Sequence, residues 1–201
     1  GVDLHLDDGV RAVESRGAEG RVAVLLESGE AIENVSVVIL AIGVAPNTEL
    51  AKAAGLRTER GIVVNEYLQT SDPHVYAIGD AIQYPHPITG TPYCCYLAGP
   101  ANKQARICAD NIVTGNTVRY RGSLGTGIAR VFGVTIATTG LNEAALKRSG
   151  IEYDTIITHG MSHAAYYPGA KPLDVKINFD PKTGKLYGGQ VVSAEGVDAR
   201  I

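Results

Sequence analysis

The stretch Thr70-Ser-Asp-Pro-His-Val-Tyr-Ala-Ile-Gly-Asp80 constrains this chain more than any other. Its apolar run Val75 to Ile78 is short and lies between Pro73 and Gly79, which predicts a fully buried strand of an α/β sheet. Asp80 then stands where that strand ends. Ligands of open α/β sheets bind beyond the carboxyl ends of the strands, and a glycine there lets a ligand approach the backbone. A carboxylate so placed accepts hydrogen bonds from the hydroxyls of a sugar or sugar alcohol. The plainer reading is a turn aspartate that caps the next segment, and spacing alone leaves both open.

A second short motif lies upstream. Val22 to Glu27 leads through Ser28-Gly29 to Ala31-Ile32 as a hairpin, and Val35 to Ile42 is expected to be a buried apolar strand closed by Gly43. Gly1 to Asp8 is acidic and strand-like, unlike a signal peptide. No G-x-G-x-x-G turn precedes these strands, so no mononucleotide-binding half is read here, and Gly125 to Arg130 fails at the third glycine.

Taken together, Thr70 to Asp80 and Ala41-Ile-Gly-Val-Ala-Pro-Asn47 resemble two signatures of the pyridine nucleotide-disulfide oxidoreductases, flavoproteins with two dinucleotide-binding folds. The first is similar to their second FAD-binding motif, in which the closing aspartate, here Asp80 after Gly79, binds the ribityl chain. The second is similar to the crossover by which the chain leaves the NAD-binding domain, with Gly43 where the cofactor passes. The resemblance implies the end of an NAD(P)-binding domain over 1–45, a β-meander with a crossover strand. It implies the second segment of an FAD-binding domain over 46–121 and a C-terminal dimerisation domain over 122–201, cut at Ile201 inside a terminal helix. The expected fold class is therefore α/β followed by an antiparallel α+β unit.

Local signals fill in the elements. Glu49 to Ala54 reads as a helix ended by Gly55, Gly61 to Asn65 as a strand, and Tyr84 to Tyr93, rich in Pro and Gly, as a loop. Ala101, Ala105, Cys108 and Ile112 recur at helical spacing between Pro100 and Gly115. The resemblance points this helix at the pyrimidine end of the flavin, with Ala98 and Asn102 contacting FAD and Tyr96 near the nicotinamide. Asn102 read by itself is a first-turn polar residue facing solvent. Further on, Ile128 to Ala137 and Tyr153 to His159 read as strands. A helix capped by Asn142 closes at Gly150, and Asp174 to Val192 forms a hairpin through Asp180 to Gly184.

His163-Ala-Ala-Tyr-Tyr-Pro-Gly169 resembles a segment of the single-cysteine branch, the coenzyme A-disulfide reductases and related NADH oxidases. There a tyrosine reaches across the dimer to the partner's cysteine, so Tyr166 or Tyr167 is the implied proton donor; read alone, the two pack a turn against a sheet. The implied activity is transfer of hydride from NAD(P)H through FAD to a cysteine outside this chain, then to CoA disulfide, polysulfide, peroxide or dioxygen. The chain alone is expected to be inactive. The alternatives are a non-enzymatic dimerisation module and a reductase of a small electron-transfer protein.

Composition trims the remaining classes. Three cysteines in 201 residues argue against a disulfide framework, and Cys94, Cys95 and Cys108 read as buried thiols in a cytoplasmic protein. A net charge of -3 gives no footprint for nucleic acid, and no apolar stretch reaches the about 20 residues of a membrane span. His159 and His163 stand four apart, and on a loop they share no face for a metal.

Overall fold

The computed structural model describes residues 2–16 and 20–201, and the chain divides into two compact units, residues 1–44 and 45–201. The first unit is built on an antiparallel sheet of β1 (Val10–Ser15), β2 (Val22–Leu26) and β3 (Ala31–Val35), in that order. The turn between β2 and β3 is the one the sequence predicts, with Gly29 at φ +92°, a conformation that glycine takes without strain. Ala23 to Leu26 form its buried row.

Two expectations for this unit are corrected. Gly1 lies outside the described residues, and Val2 to Gly9 form no strand. The crossover strand over Val35 to Ile42 is also absent: β3 ends at Val35, and Val37, Ile39, Leu40 and Ile42 are exposed. A buried strand owes its burial to neighbours on both edges, and the three-stranded sheet pairs none of its members with 36–44.

The second unit begins with α1 (Glu49–Ala53), closed as expected by Gly55 at φ +74°. Next, β4 (Ile62–Val63) runs parallel to β5 (Ile82–Pro85), which pairs antiparallel with β6 (Pro92–Tyr93). The 84–93 segment is therefore a hairpin with Gly90 in its turn rather than an unstructured loop. Gly61 is required at the head of β4, because a Cβ there would lie 2.9 Å from the carbonyl oxygen of Ala81. The expected strand Val75 to Ile78 does not form: only Tyr76 bridges to Gln69, and Val75 and Ile78 stay partly open to solvent. With a partner on one edge alone, four apolar residues have no ladder to join.

Helix α2 (Ala98–Thr114) ends at Gly115 in the left-handed conformation, as its sequence predicts. Its buried face, however, is Gln104, Ile107, Cys108 and Asn111, not Ala101, Ala105, Cys108 and Ile112. Three of the expected apolar positions drop out, and two of the three residues that replace them are amides because these serve backbone groups: Asn111 donates to Tyr67 O and Val118 O and accepts from Val118 N–H. Around them pack Val64, Leu68, Ile82, Tyr84, Cys95 and Tyr120.

The remainder is a five-stranded antiparallel sheet in the order β7-β8-β11-β10-β9, comprising β7 (Gly127–Val131), β8 (Val134–Gly140), β9 (Asp154–Met161), β10 (Pro172–Phe179) and β11 (Leu186–Ser193). The expected single strand over Ile128 to Ala137 is in fact the β7–β8 hairpin, turning at Phe132-Gly133. Helix α3 (Glu143–Arg148) is capped by the Asn142 side chain, which accepts the Ala145 N–H at 2.9 Å. Ala137, Leu173, Val191 and Val197 form the core of one sheet face. Among the described residues no helix is long and apolar enough to cross a membrane.

Candidate functional site

The site grows out of a series of local turns. Asn65 Oδ1 accepts the N–H groups of Tyr67 and Gln69, Thr70 Oγ1 accepts that of Asp72 at 3.2 Å, and Asp72 Oδ1 accepts that of His74 at 2.8 Å. Short polar side chains that bond backbone two residues on make such turns, which explains why Thr70 and Asp72 stand there. The chain then folds back, Ala77 N–H bonding Leu68 O at 3.0 Å, and reaches Gly79 at φ +78°. Gly79 opens a single 3-10 turn, Gly79–Ala81, which carries Asp80 outward into solvent.

That turn is pinned from below. Gly79 N–H donates to Gln104 Oε1 at 2.7 Å, Gln104 Nε2 donates to the Tyr120 hydroxyl at 2.9 Å, and Tyr120 reaches Tyr84 at 3.5 Å. Burial, reinforced by the Tyr120 contact, drives the Tyr84 phenol far above its usual range, so the Tyr84 hydroxyl stays neutral. An added Cβ on Gly79 would sit 4.0 Å from Ala101 Cβ, so the turn packs on the opening of α2.

The start of α2 has no side-chain cap and no acidic residue in its first turn. Its leading N–H groups are therefore free to meet a ligand, with about half a positive charge behind them. Of the predicted residues, Gly79, Asp80 and Ala98 gather at this end, and Asn102 is exposed one turn along α2. Tyr96 lies just before the helix. Its hydroxyl is buried without a hydrogen-bond partner, and burial, with Cys94 beside it, pushes the phenol upward while Arg60 opposes the shift. An orphaned buried hydroxyl marks a place where a polar partner belongs.

Other predicted residues stand apart. Gly43 lies in the first unit, exposed, at φ +80°. Tyr166 and Tyr167 occupy the loop between β9 and β10, 88% and 64% exposed; they stack edge-on with each other, and Tyr167 with His163, instead of packing on the sheet. His159 is on β9 and bonds Asp174 at 2.6 Å, while His163 is in the loop. Cys94 is half-buried and Cys95 and Cys108 are buried, all three free, with the Cys108 thiol raised by burial. A cleft of about 460 Å³ lined by Val64, Tyr67, Tyr84, Tyr120 and Arg121 excludes Asp80, Ala98 and Asn102. Gln104 and Tyr120, which hold the Gly79 turn, escape the sequence reading; the i, i+3, i+4, i+7 spacing of Gln104, Ile107, Cys108 and Asn111 is the one signal for Gln104, and Tyr120 carries none.

Comparison with known proteins places this geometry. An NAD(P)H sulfur oxidoreductase (CoA-dependent) of Pyrococcus abyssi is 36% identical over 96% of the chain and 43% of its own length. The crystal structure of reduced Bacillus anthracis CoADR-RHD superposes with a TM-score of 0.84 at 49% identity, covering 96% of this chain and 34% of that one. The water-forming NADH oxidase from Lactobacillus brevis, bound to NADH, also superposes at 0.84, with 25% identity and coverage of 96% and 42%. The chain thus spans less than half the length of each of these relatives. Residues 1–98 match the family model described as pyridine nucleotide-disulphide oxidoreductase and residues 128–201 the model of its dimerisation domain; the chain belongs to the pyridine nucleotide-disulphide oxidoreductase family.

Proposed function

We propose that residues 46–121 form the second segment of an FAD-binding domain, in a protein whose complete form is an FAD-dependent NAD(P)H oxidoreductase. Residues 1–45 end its NAD(P)-binding domain, and residues 122–201 form the domain through which it makes a homodimer. The observation that carries this reading is the Gly79–Asp80 turn locked onto the uncapped start of α2 through Gln104.

The residues present fit part of a flavin site. Asp80 offers an exposed carboxylate for polyol hydroxyls, Gly79 and Ala98 keep side-chain bulk away, and the α2 N–H groups face a group that carries negative charge. FAD, when bound, supplies the two-electron chemistry between NAD(P)H and a thiol or disulfide. The chain's own residues do the rest: Asp80 and Asn102 orient the cofactor, the α2 terminus stabilises charge on its pyrimidine end, and Tyr96 borders the nicotinamide; a role for Gly43 in NAD(P) binding rests on the resemblance of Ala41–Asn47 alone. Tyr166 or Tyr167 supplies a proton to a leaving thiolate across the dimer, a role open to an exposed phenol on a loop.

Among the acceptors, a disulfide or persulfide of coenzyme A is favoured over peroxide or dioxygen, because the CoA-dependent relative and the CoADR structure share 36% and 49% identity, against 25% for the oxidase. A cytoplasmic setting suits such thiol chemistry. Residues 1–201 hold no G-x-G-x-x-G turn, so this chain by itself is expected to bind flavin but not to turn over NADH.

The visible absorption spectrum tests the reading. The purified chain, mixed with FAD and freed of excess, is expected to retain flavin, and Asp80→Ala to retain it at least about tenfold more weakly, the loss of one charge-assisted hydrogen bond. A folded dimer that takes up no flavin would instead support a dimerisation module without redox function.

A further inference from the structure

The cleft of about 460 Å³ that leaves out Asp80 lies wholly within the second unit and has a construction of its own. Its volume falls in the range of about 300–1,000 Å³ typical of small-molecule sites. Three segments close around it: the turn after β4, the β5–β6 hairpin and the chain that leaves α2. They are fastened to one another. Tyr120 N–H donates to Glu66 O at 2.7 Å, which ties the outgoing chain to the turn. Gly122, at φ +82°, lies so close to the hairpin that a Cβ would stand 2.7 Å from Pro87 Cγ and 3.4 Å from the Tyr84 ring. Glycine takes that backbone conformation without strain and lets the two segments meet.

The wall of the cleft is aromatic and fixed. Tyr84 and Tyr120 are both buried and cross edge-on with ring centroids 5.2 Å apart. Their hydroxyls are engaged with each other and with Gln104, so what they present to the cleft is ring surface. Val64 and Tyr67 continue the lining. A wall already held in place loses little freedom on binding, and rings so arranged favour another flat ring.

Charge in the cleft is one-sided. Glu66 pairs with Arg119 at 3.4 Å, and the same guanidinium lies 5.9 Å from the Tyr67 ring centroid. Asn65 spends its side chain within its own turn, accepting from Tyr67 and Gln69 N–H and donating to Gln69 Oε1. Arg121 lines the same cleft and, among the described residues, has neither an ion pair nor a side-chain hydrogen bond. A guanidinium is a planar fork that matches a carboxylate or a phosphate.

We propose that this cleft binds a small planar aromatic anion, its ring against Tyr84 and Tyr120 and its anionic group on Arg121. An aromatic cation fits less well, because it would leave Arg121 unanswered and would have to take Glu66 from Arg119. The site is separate from the flavin reading, since its lining leaves out Tyr96 as well as Asp80, Ala98 and Asn102.

The test is a calorimetric titration of the flavin-free 201-residue chain with 2-naphthoate, 2-naphthyl phosphate and the neutral 2-naphthol. At least one anion should bind with a dissociation constant on the order of 0.1 mM, and the tighter of the two tells a carboxylate site from a phosphate site. Arg121→Gln should weaken that anion about tenfold, the loss of a charge-assisted hydrogen bond, and 2-naphthol should bind wild type about as weakly. Arg148→Gln, the same loss of charge on α3, should change nothing. With tyrosine rings labelled with carbon-13, the anion should shift the Tyr67, Tyr84 and Tyr120 resonances and leave those of Tyr96 and Tyr166 in place. No heat from either anion at millimolar concentration would overturn the site, as would shifts at Tyr96 in place of Tyr84. Equal binding by wild type and Arg121→Gln, or by anion and naphthol, would overturn the anion assignment. FAD retention is measured on the same preparation without these probes, so its failure is distinguishable from failure of this site.

Discussion

One amide decides the geometry around Asp80. Gln104 accepts from Gly79 and donates to Tyr120, so both ends of its side chain are used inside a closed core. Gln104→Leu keeps the volume but strands a backbone N–H and a hydroxyl, which should cost about 1–3 kcal/mol in chemical denaturation. Flavin retention should fall with it, although Gln104 lies beneath the turn. Gln104→Glu, which keeps the acceptor, should recover part of the loss; equal stability of all three forms would show that the bond is dispensable. His86 is a second buried polar residue, whose Nδ1 accepts the N–H groups of Ile88 and Thr89 at 3.2 and 3.4 Å. Burial holds its ring below the ordinary 6.5. The stabilisation it gives is therefore complete above about pH 6.5 and is lost as pH falls from there through the lowered folded value. Thermal midpoints should drop between about pH 7 and pH 5, and His86→Asn, an acceptor that does not titrate in this range, should flatten that slope.

At the scale of elements, termini follow local chemistry and faces do not. Helix α3 has six residues, too few to be stable alone, and depends on Asn142 at one end and Gly150 at the other. Asn142→Ala should lower global stability by about 1 kcal/mol in urea denaturation, while Asn142→Ser should change it little. Its first residue, Glu143, ties the helix to the sheet through Lys176 at 3.0 Å and Thr155 at 3.1 Å, and these partners hold its carboxyl below the usual range. Strand faces show the opposite dependence. The first half of β10 alternates legibly, with Leu173 and Val175 inward and Asp174 outward, because its neighbours β9 and β11 are both in the sheet, whereas Asn178, on the Asp174 face, is fully buried.

The molecule as a whole is two units, and an irregular stretch of chain spans the boundary between them. Residues 36–48 form no regular structure, and Ile39, Leu40, Ile42 and Val44 are exposed. Thermolysin, which cuts before apolar residues, should cleave here first and release a product beginning between residues 37 and 44. That product carries both core clusters of the second unit, so it should keep its cooperative thermal transition. Cleavage inside 45–201 at a comparable rate would show that the second unit is not stable by itself. Within it, the hairpin β5–β6 meets the linker to the large sheet closely: a Cβ on Gly125 would lie 2.6 Å from the Tyr93 hydroxyl, whose pKa burial pushes up to about 12.

What the sequence determined by itself is what local chemistry controls. Gly29, Gly55, Gly115 and Gly150 end their elements where the residues say they should, Asn142 starts α3, and the β10–β11 hairpin follows its alternation. The Thr70–Asp80 and Ala41–Asn47 signatures were equally legible, since turn residues and glycines act within a few positions of themselves. Tertiary structure alone decided the rest. Val35 to Ile42 and Val75 to Ile78 have the composition of core strands, yet burial is granted by neighbours, and the sheets present pair with neither as a strand. Gln104 reads as a polar surface residue until Gly79, 25 positions away, presents an N–H that needs it. Phe132 reads as one more apolar residue of a strand until the register of β7 and β8 sets it at the tip of a turn. Pairing and burial are sums over distant residues, and no window of adjacent ones contains them.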